Sequence, residues 1–201
     1  MRRSRRIPRQ PRGQRRVAGL LDSAEAVIAE TGYDGATMSA IARRAGASIG
    51  SLYQFFPNKQ VLAQALRVRY SKEYDDLCAR LTPEAKSRNL NAFVAHLIDL
   101  TVSFVETHPA FLALVDAPCS TRIPEAIRNV LRGRFAAFFL AAGPRMSKIK
   151  AEHLATMTLH MLRALAQIYA EAPARDRAHF VREFKVLFCA YLGLRLGRIS
   201  R

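Results

Sequence analysis

The chain has 201 residues, half of them apolar, and a formal net charge of +16. This length and composition predict a globular chain with one well-packed domain, or a small domain joined to a larger one. The sequence has no apolar run of about 18 residues and no secretion signal, so we expect a cytoplasmic protein without membrane spans. Three widely separated cysteines without metal-ligand spacing argue against a disulfide framework and a zinc site.

The chain begins with a strongly basic segment. Residues 1–16 hold eight arginines and no acidic residue, and two prolines interrupt them. Such a segment repels itself and cannot bury apolar surface, so we predict a disordered arm over residues 1–14 that binds a polyanion. Nucleic acid is the expected partner, and a solubilising tail or an organelle transit peptide is the alternative.

Helical periodicity dominates the rest of the chain and predicts an all-α fold. The first amphipathic helix is predicted to start near Arg15 and run for about four turns, with Gly32 behind it as a left-handed cap. Thr37 is placed to cap a short helix and Ser48 a second one, while Gly46 permits the sharp turn between them. Two short helices joined by a tight turn are the helix-turn-helix pattern.

Caps and prolines also mark the helices that follow. Asn58 is placed to cap a long helix after Pro57, and further breaks at prolines follow as far as residue 173. In the second short helix, helical spacing predicts a buried side. The residues predicted to be buried there are Ile49, Leu52, Phe55 and Phe56.

Residues 31–62, TGYDGATMSAIARRAGASIGSLYQFFPNKQVL, resemble the DNA-binding domain of TetR-family transcriptional repressors. The resemblance rests on the helix start at Thr37, the Ala45-Gly46 turn and the SxGxLY pattern from Ser48. It implies an N-terminal three-helix helix-turn-helix DNA-binding domain, followed by a larger helical ligand-binding and dimerisation domain. It also implies a homodimer that binds double-stranded DNA at a palindromic operator and responds to a small-molecule effector.

The second short helix is predicted to lie in the DNA major groove. A groove that admits one helix requires a slim exposed face, and the serines, glycine and glutamine of this helix meet that condition. A tyrosine hydroxyl, two capped helix starts and a lysine are placed to contact phosphates. The predicted DNA-binding residues are Thr37, Ser39, Arg44, Ser48, Gly50, Ser51, Tyr53, Gln54 and Lys59.

The last two predicted helices are apolar over more of their surface than one core contact requires. We predict that they form a four-helix interface with a second copy of the chain, and the alternative is that both helices are central in a monomer. The recurring apolar positions are Leu154, Met157, Met161, Leu165 and Ile168 on one helix and Phe180, Phe184, Leu187, Tyr191 and Leu194 on the other.

Aromatic and methionine residues between positions 93 and 161 are candidates for binding a mostly apolar small molecule, although the same spacing suits an ordinary core. His153 and His160 lie too far apart along their helix for a simple two-histidine metal clamp, so neither a metal nor a cofactor is predicted. The predicted ligand-binding residues are Phe93, Leu97, Leu100, Phe104, Phe111, Phe138, Met157 and Met161.

Together these patterns predict a sequence-specific transcriptional regulator, a repressor that its ligand releases from DNA. Its predicted parts are the arm (1–14), the helix-turn-helix domain (15–66) and the ligand-sensing and dimerisation domain (67–201). The sequence carries no catalytic motif, so an enzyme is not expected. The alternative function is that of a basic helical protein that binds RNA or anionic surfaces through its arm.

Overall fold

The computed structural model describes residues 11–81, 90–116, 125–143 and 145–197. Every regular element in these ranges is an α-helix, which confirms the predicted all-α class. The helices are α1 (Pro11–Gly35), α2 (Met38–Arg44), α3 (Ile49–Phe55), α4 (Lys59–Leu81), α5 (Leu90–Thr107), α6 (Phe111–Asp116), α7 (Glu125–Ala142), α8 (Lys148–Glu171) and α9 (Ala174–Leu196).

The chain divides into two compact units. The N-terminal unit comprises Met1–Ser71 and His108–Pro124, and the C-terminal unit comprises Lys72–Thr107 and Glu125–Arg201. The boundary between the two units therefore lies inside α4, a few residues beyond the predicted domain boundary at residue 66. It also assigns the segment with α6 to the N-terminal unit, which the sequence did not suggest.

Helix α1 begins at Pro11, earlier than the predicted start near Arg15. Residues 11–14 of the predicted arm are therefore helical, whereas residues 1–10 lie outside the described residues. Proline is common at the first position of a helix, because the N–H group that it lacks would have no partner within the helix at that position. Near the other end, Gly32 has a φ of 71° and interrupts the helical backbone as predicted, since glycine adopts the left-handed region without steric cost.

The predicted caps of the next three helices are confirmed. The Thr37 hydroxyl accepts the Ala40 N–H at 3.1 Å at the start of α2, and the Ser48 hydroxyl accepts the Ser51 N–H at 3.2 Å at the start of α3. The side chain of Asn58 accepts the Val61 N–H at 2.8 Å at the start of α4. Each cap satisfies an amide that has no partner within its helix, which contributes about 1 kcal/mol.

Helices α1 to α4 and α6 all contribute buried apolar side chains to the N-terminal unit. Helix α3 contributes Leu52, and Phe56 follows directly after it; both are completely buried. Phe55 is half-buried, whereas Ile49 is 42% exposed, so the prediction that Ile49 is buried was wrong. Helical side chains lean toward the N-terminus of their helix, and at the first position of α3 this carries Ile49 out of the core.

In the C-terminal unit, long helices pack around an aromatic core. Helix α7 lies against α8, and α5 lies against α8 and α9. The rings of Phe93 and Phe138 stack with their centroids 4.0 Å apart, and Phe139 and Phe188 are completely buried beside them. The Arg134 guanidinium binds both carboxylate oxygens of Asp75, which ties α7 to the second half of α4.

Helix α5 is the one helix in the described ranges that is long and apolar enough to cross a membrane by length and composition. Eight of its residues are buried inside the C-terminal unit. The core helix of a globular domain passes the same test, and burial of this extent is what a core helix requires.

Candidate nucleic-acid interface

Helix α3 presents a slim, mostly polar face to solvent. Gly50, Tyr53 and Gln54 are exposed, as is the capping residue Ser48, while Ser51 is half-buried. Because Leu52 points into the core, the helix is held by one side and its opposite side is free. A helix of two turns fixed in this way can enter a groove about 12 Å wide.

The start of α2 adds two exposed hydroxyl groups beside this face. Thr37 and Ser39 are both exposed. The Thr37 hydroxyl accepts a backbone N–H as a cap, but its own proton remains available for donation. The same holds for Ser48 at the start of α3. These residues can therefore serve as helix caps and still donate to a phosphate oxygen.

Arg44, at the end of α2, is held by an acidic residue of α1. Its Nη1 atom lies 2.7 and 2.8 Å from the two carboxylate oxygens of Glu30. The two side chains are 45% and 57% exposed, so solvent screens the pair and its contribution to stability is about 0–1 kcal/mol. Because the pair is weak, Arg44 can leave Glu30 and bind a DNA phosphate at a small cost in free energy.

Lys59 lies at the start of α4 and has a structural role that the sequence did not reveal. Its Nζ atom donates to the carbonyl oxygens of Tyr33 at 2.8 Å and Asp34 at 3.1 Å, and lies 4.6 Å from the centroid of the Tyr33 ring. These contacts tie the end of α1 to the start of α4. A contact between Lys59 and a DNA phosphate stays a prediction. In such a contact the phosphate would bind the same ammonium group as these two carbonyl oxygens.

Four exposed arginines of α1 and α2 were not among the predicted DNA contacts. Arg43 lies on α2 next to Arg44, and Arg12, Arg15 and Arg16 lie in the first two turns of α1. None of the four forms a hydrogen bond or ion pair with another described residue. The signal in the sequence was present, since the three α1 arginines belong to the basic segment of residues 1–16, although only Arg12 lies within the predicted arm.

Charged side chains connect α1 to α4 and to His108, which lies just before α6. The Arg69 guanidinium binds Asp22 at 2.5 Å and also Glu25, whose other oxygen lies 3.0 Å from Nδ1 of His108. Burial lowers the pKa of Arg69, but the hydrogen bond to Asp22 and the charges of Glu25 and Asp22 raise it above its usual value. Sequence spacing gave no sign of this cluster because its bonded pairs are 44 to 83 residues apart.

Arg67 and Tyr70 also join α4 to the segment with α6. The buried Arg67 guanidinium donates from Nε to the Leu114 carbonyl at 2.8 Å. The Tyr70 ring lies against His108 and Phe111, with centroid distances of 4.8 and 6.0 Å. Phe111, predicted to line a ligand site, thus belongs to the N-terminal unit and not to the aromatic core of the C-terminal unit.

The other predicted ligand-binding residues lie in the C-terminal unit, and the structure brings only some of them together. Phe93, Leu97 and Phe138 are buried in one cluster, with Leu100 and Met161 packed at its edge. Phe104 is buried against Tyr74, whose ring centroid is 5.1 Å away. Met157 is 48% exposed on α8, so it does not face this cluster.

Buried polar groups accompany this apolar cluster. The hydroxyls of Tyr74 and Thr101 are 2.8 Å apart, and Cys78 is buried nearby on α4. Burial raises the pKa of the Tyr74 hydroxyl, and it raises the pKa of the Cys78 thiol to about 12. Both groups are therefore neutral near pH 7, and Cys78 is not a nucleophile there.

A surface cleft of about 410 Å³ lies elsewhere in the C-terminal unit, where the end of α7 meets the start of α8 and the end of α9. It contains none of the predicted ligand-binding residues. Its lining consists of Ala142, Gly143, Arg145, Met146, Lys150, Arg195, Leu196 and Gly197.

Exposed apolar side chains are concentrated on α8 and α9. They belong to the pair of helices predicted to contact a second copy of the chain, although only some are at the predicted positions. The exposed residues are Ile149, Met157, Val186, Leu187 and Leu194, with exposed fractions of 48–65%.

Within the described ranges, no group of three or more histidine, cysteine or acidic residues could hold a metal ion.

Two protein-family models match the chain. The one described as "Bacterial regulatory proteins, tetR family" matches residues 20–66, and the one described as "Tetracyclin repressor-like, C-terminal domain" matches residues 89–192. The second match alone covers more than half of the chain. No curated protein matches the chain by sequence.

Many solved structures share the fold, and three illustrate the range. A TetR-family transcriptional regulator from Streptomyces coelicolor is 23% identical, with a TM-score of 0.67 over 89% of this chain and 98% of that one. The fatty acid degradation regulator FadR from Bacillus halodurans is 18% identical, with a TM-score of 0.64 over 90% and 96%. A TetR variant from Acinetobacter baumannii AYE in complex with minocycline is 18% identical, with a TM-score of 0.62 over 88% and 96%.

At identities below 25%, these structures show a shared fold, and the two family models carry the assignment. They match the helix-turn-helix region and the C-terminal helical region in the order that the fold requires. Members of this family regulate transcription and are not enzymes. The chain belongs to the TetR family of bacterial regulatory proteins, with a helix-turn-helix DNA-binding domain followed by a TetR-type C-terminal domain.

Proposed function

We propose that the protein is a repressor that binds a palindromic DNA operator as a homodimer and is released by a small, mostly apolar ligand. The observation that carries the proposal is the exposed face of α3. Its core side is fixed by Leu52, its start is capped by Ser48, and its free side bears only small or polar groups apart from Ile49 and Tyr53. Bacterial DNA lies in the cytoplasm, which is where we expect the protein to act.

Affinity for DNA in this proposal comes from phosphate contacts around α3. The exposed hydroxyls of Thr37 and Ser39, the Tyr53 hydroxyl and the unpaired arginine Arg43 are available for them. Such contacts position a protein on the duplex but do not read its sequence, which leaves sequence recognition to the residues of α3 itself. Gln54 is the longest hydrogen-bonding side chain on that face.

Dimerisation through α8 and α9 is supported by the apolar residues that these helices leave exposed. Leu187 and Leu194 lie seven residues apart on α9, so they share one side of the helix, and Val186 lies beside Leu187. Water contact with this many apolar side chains is unfavourable, by about 25 cal/mol per Å². A second copy of the same helices covers them without any other partner.

Ligand binding in the C-terminal unit is supported by the aromatic cluster of Phe93 and Phe138 and by the neutral hydroxyl pair of Tyr74 and Thr101. Apolar walls with a few polar groups are typical of small-molecule sites. One structural neighbour is a regulator of fatty acid degradation, and another was solved with minocycline bound. The minocycline bound to one neighbour, together with the apolar side chains and neutral hydroxyl groups of this cluster, leads us to propose a largely apolar effector.

Selection of bound duplexes from a random pool tests the proposal. A dimer with two-fold symmetry should select a palindrome whose half-sites are about 34–36 Å apart or a multiple of that distance. Selection without any shared motif would contradict the repressor function and favour non-specific binding through basic residues. Affinity for the selected duplex, measured across a panel of hydrophobic compounds, then tests release by an effector.

A further inference from the structure

In the described part of the N-terminal unit, the exposed large apolar side chains are Ile49 and Tyr53, which are 42% and 49% exposed. Both lie on α3, four residues apart, so they are neighbours on the surface of the helix. The remaining exposed residues of α3, Gly50 and Gln54, form a second row beside them with the same spacing. The face therefore has an apolar row and a slim polar row.

The core does not explain why Ile49 stands in this position. Leu52 and Phe56 are completely buried in the core of the N-terminal unit, whereas Ile49, the first residue of α3, is 42% exposed. A β-branched residue also has a lower helix propensity than the alternatives. An apolar side chain on the tip of a helix predicted to enter DNA indicates an apolar group on the partner.

Gly50, beside Ile49, has no requirement for glycine inside the molecule. A Cβ atom at this position would meet no atom within 4 Å, and its φ is not positive. Its lack of a side chain leaves the backbone of α3 free to approach a partner closely. Close approach is what brings the short Ile49 side chain within van der Waals distance of a base edge.

The major-groove edge of DNA carries one apolar group, the C5-methyl of thymine. We propose that Ile49, with the Tyr53 ring beside it, contacts a thymine methyl in each half-site, so that the protein selects thymine there through apolar contact. This inference rests on the proposed function, because it needs a specific operator. It assigns recognition of one base to an apolar side chain and leaves hydrogen-bonded recognition to Gln54.

Deoxyuridine provides a direct test, because it differs from thymidine only by lacking this methyl group. Each thymine of the selected operator is replaced by deoxyuridine in turn, in both half-sites together, and affinity is measured at fixed salt. We expect one symmetric position at which affinity falls about fifteenfold, or about fourfold per half-site, which corresponds to two buried methyl groups. Unchanged affinity at every thymine would overturn the proposal, and so would an operator without thymine.

Variants identify the side chain responsible. Ile49→Ala should bind the thymine operator more weakly and lose its sensitivity to deoxyuridine at that position. The matched control is Val130→Ala, which removes an exposed β-branched side chain from α7 and should keep the full sensitivity. If Ile49→Ala keeps the full deoxyuridine penalty, Ile49 is not the contact. Thermal unfolding of both variants confirms that they are folded.

The test of thymine recognition can fail without the proposed function failing. A selected palindrome that tolerates deoxyuridine everywhere would refute thymine recognition by Ile49 and leave the operator-binding function standing. Selection that yields no motif would refute both.

Discussion

The two units of the molecule differ in how they expose apolar side chains. The described residues of the N-terminal unit expose two large ones, Ile49 and Tyr53, in a single row on α3. Those of the C-terminal unit expose seven, and five of these spread over α8 and α9. A single row matches a narrow partner such as the edge of a base, whereas a spread surface matches another protein chain. The extent of exposed apolar surface thus indicates the size of the partner.

The units also differ in what holds their helices. Helices α2 and α3 have seven residues each, which is too short to be stable alone, and their caps and a few buried side chains fix them. In the C-terminal unit, helices of 18 to 24 residues are held by extensive aromatic packing. The short helices therefore depend more on each individual cap and buried side chain than the long helices do.

The largest expected effect tests whether the units unfold separately. Leu52 and Leu165 are both completely buried, one in each unit, and truncation of either to alanine should cost about 2–5 kcal/mol. We expect Leu52→Ala to abolish specific DNA binding and to increase hydrogen exchange in α1 to α3, while the C-terminal unit stays protected. Leu165→Ala should reverse the pattern. Equal loss of protection in both units for either variant would show that they unfold as one.

The second effect concerns Lys59, which joins α1 to α4. Lys59→Ala removes two hydrogen bonds to carbonyls and a contact with the Tyr33 ring, so we expect a loss of about 1–3 kcal/mol in thermal or denaturant unfolding. The control is Lys148→Ala, because Lys148 is also the first residue of its helix but contacts no described residue through a hydrogen bond or ion pair.

The two Lys59 outcomes are distinct. Weaker operator binding with unchanged stability would mean that the phosphate contact is the main role of Lys59. If Lys59→Ala lowered the stability no more than Lys148→Ala does, the structural role of Lys59 would be contradicted.

A glycine substitution sharpens the contrast between the recognition face and the rest of the surface. Gly50→Ala should stabilise the fold by up to about 1 kcal/mol, since alanine has the higher helix propensity and space is open, yet it should weaken operator binding. Gly133→Ala on α7 is the matched control, because its surroundings are equally open. It should stabilise the fold and leave operator affinity unchanged. Tighter operator binding by Gly50→Ala would show that α3 does not approach DNA closely.

The smallest effect concerns the ion pair between Arg44 and Glu30. Either Arg44→Ala or Glu30→Gln should change stability by less than about 1 kcal/mol, because both side chains are exposed. Their effects on operator affinity should be opposite: Arg44→Ala lowers it and reduces the salt slope by about 0.9, whereas Glu30→Gln frees the arginine and raises it. A change in the same direction for both variants would exclude a phosphate contact by Arg44.

Local signals in the sequence were enough for the fold class, the caps at Thr37, Ser48 and Asn58, and the turn at Gly32. Each depends on a residue type at a fixed position beside a helix. The burial of Leu52 and Phe56 also followed from helical spacing. The exposure of Ile49 did not, because spacing places a residue on a side of a helix but does not show where the neighbouring helices end.

Contacts between distant parts of the chain could not be predicted. The clusters around Arg69 and Arg67 join residues 44 to 83 positions apart, and no periodic pattern encodes such pairs. The same limit explains why Phe111 was grouped with Phe93, although it packs against Tyr70 in the other unit. Apolar spacing alone also cannot distinguish a core residue such as Phe138 from the wall of a cavity.

The most direct test of the account is whether the exposed face of α3 determines which bases are chosen. Duplex selection from a random pool should be run in parallel with the wild-type protein, Gln54→Ala and Tyr53→Phe. We expect Gln54→Ala to change the preference at one symmetric pair of positions, by about 1–3 kcal/mol, because a lost side-chain contact to a base affects only that base. Tyr53→Phe should bind more weakly with the same preference, since it loses only a phosphate contact. If Gln54→Ala selected the wild-type sequence with unchanged preference at every position, Gln54 would not read a base and the central claim would be contradicted.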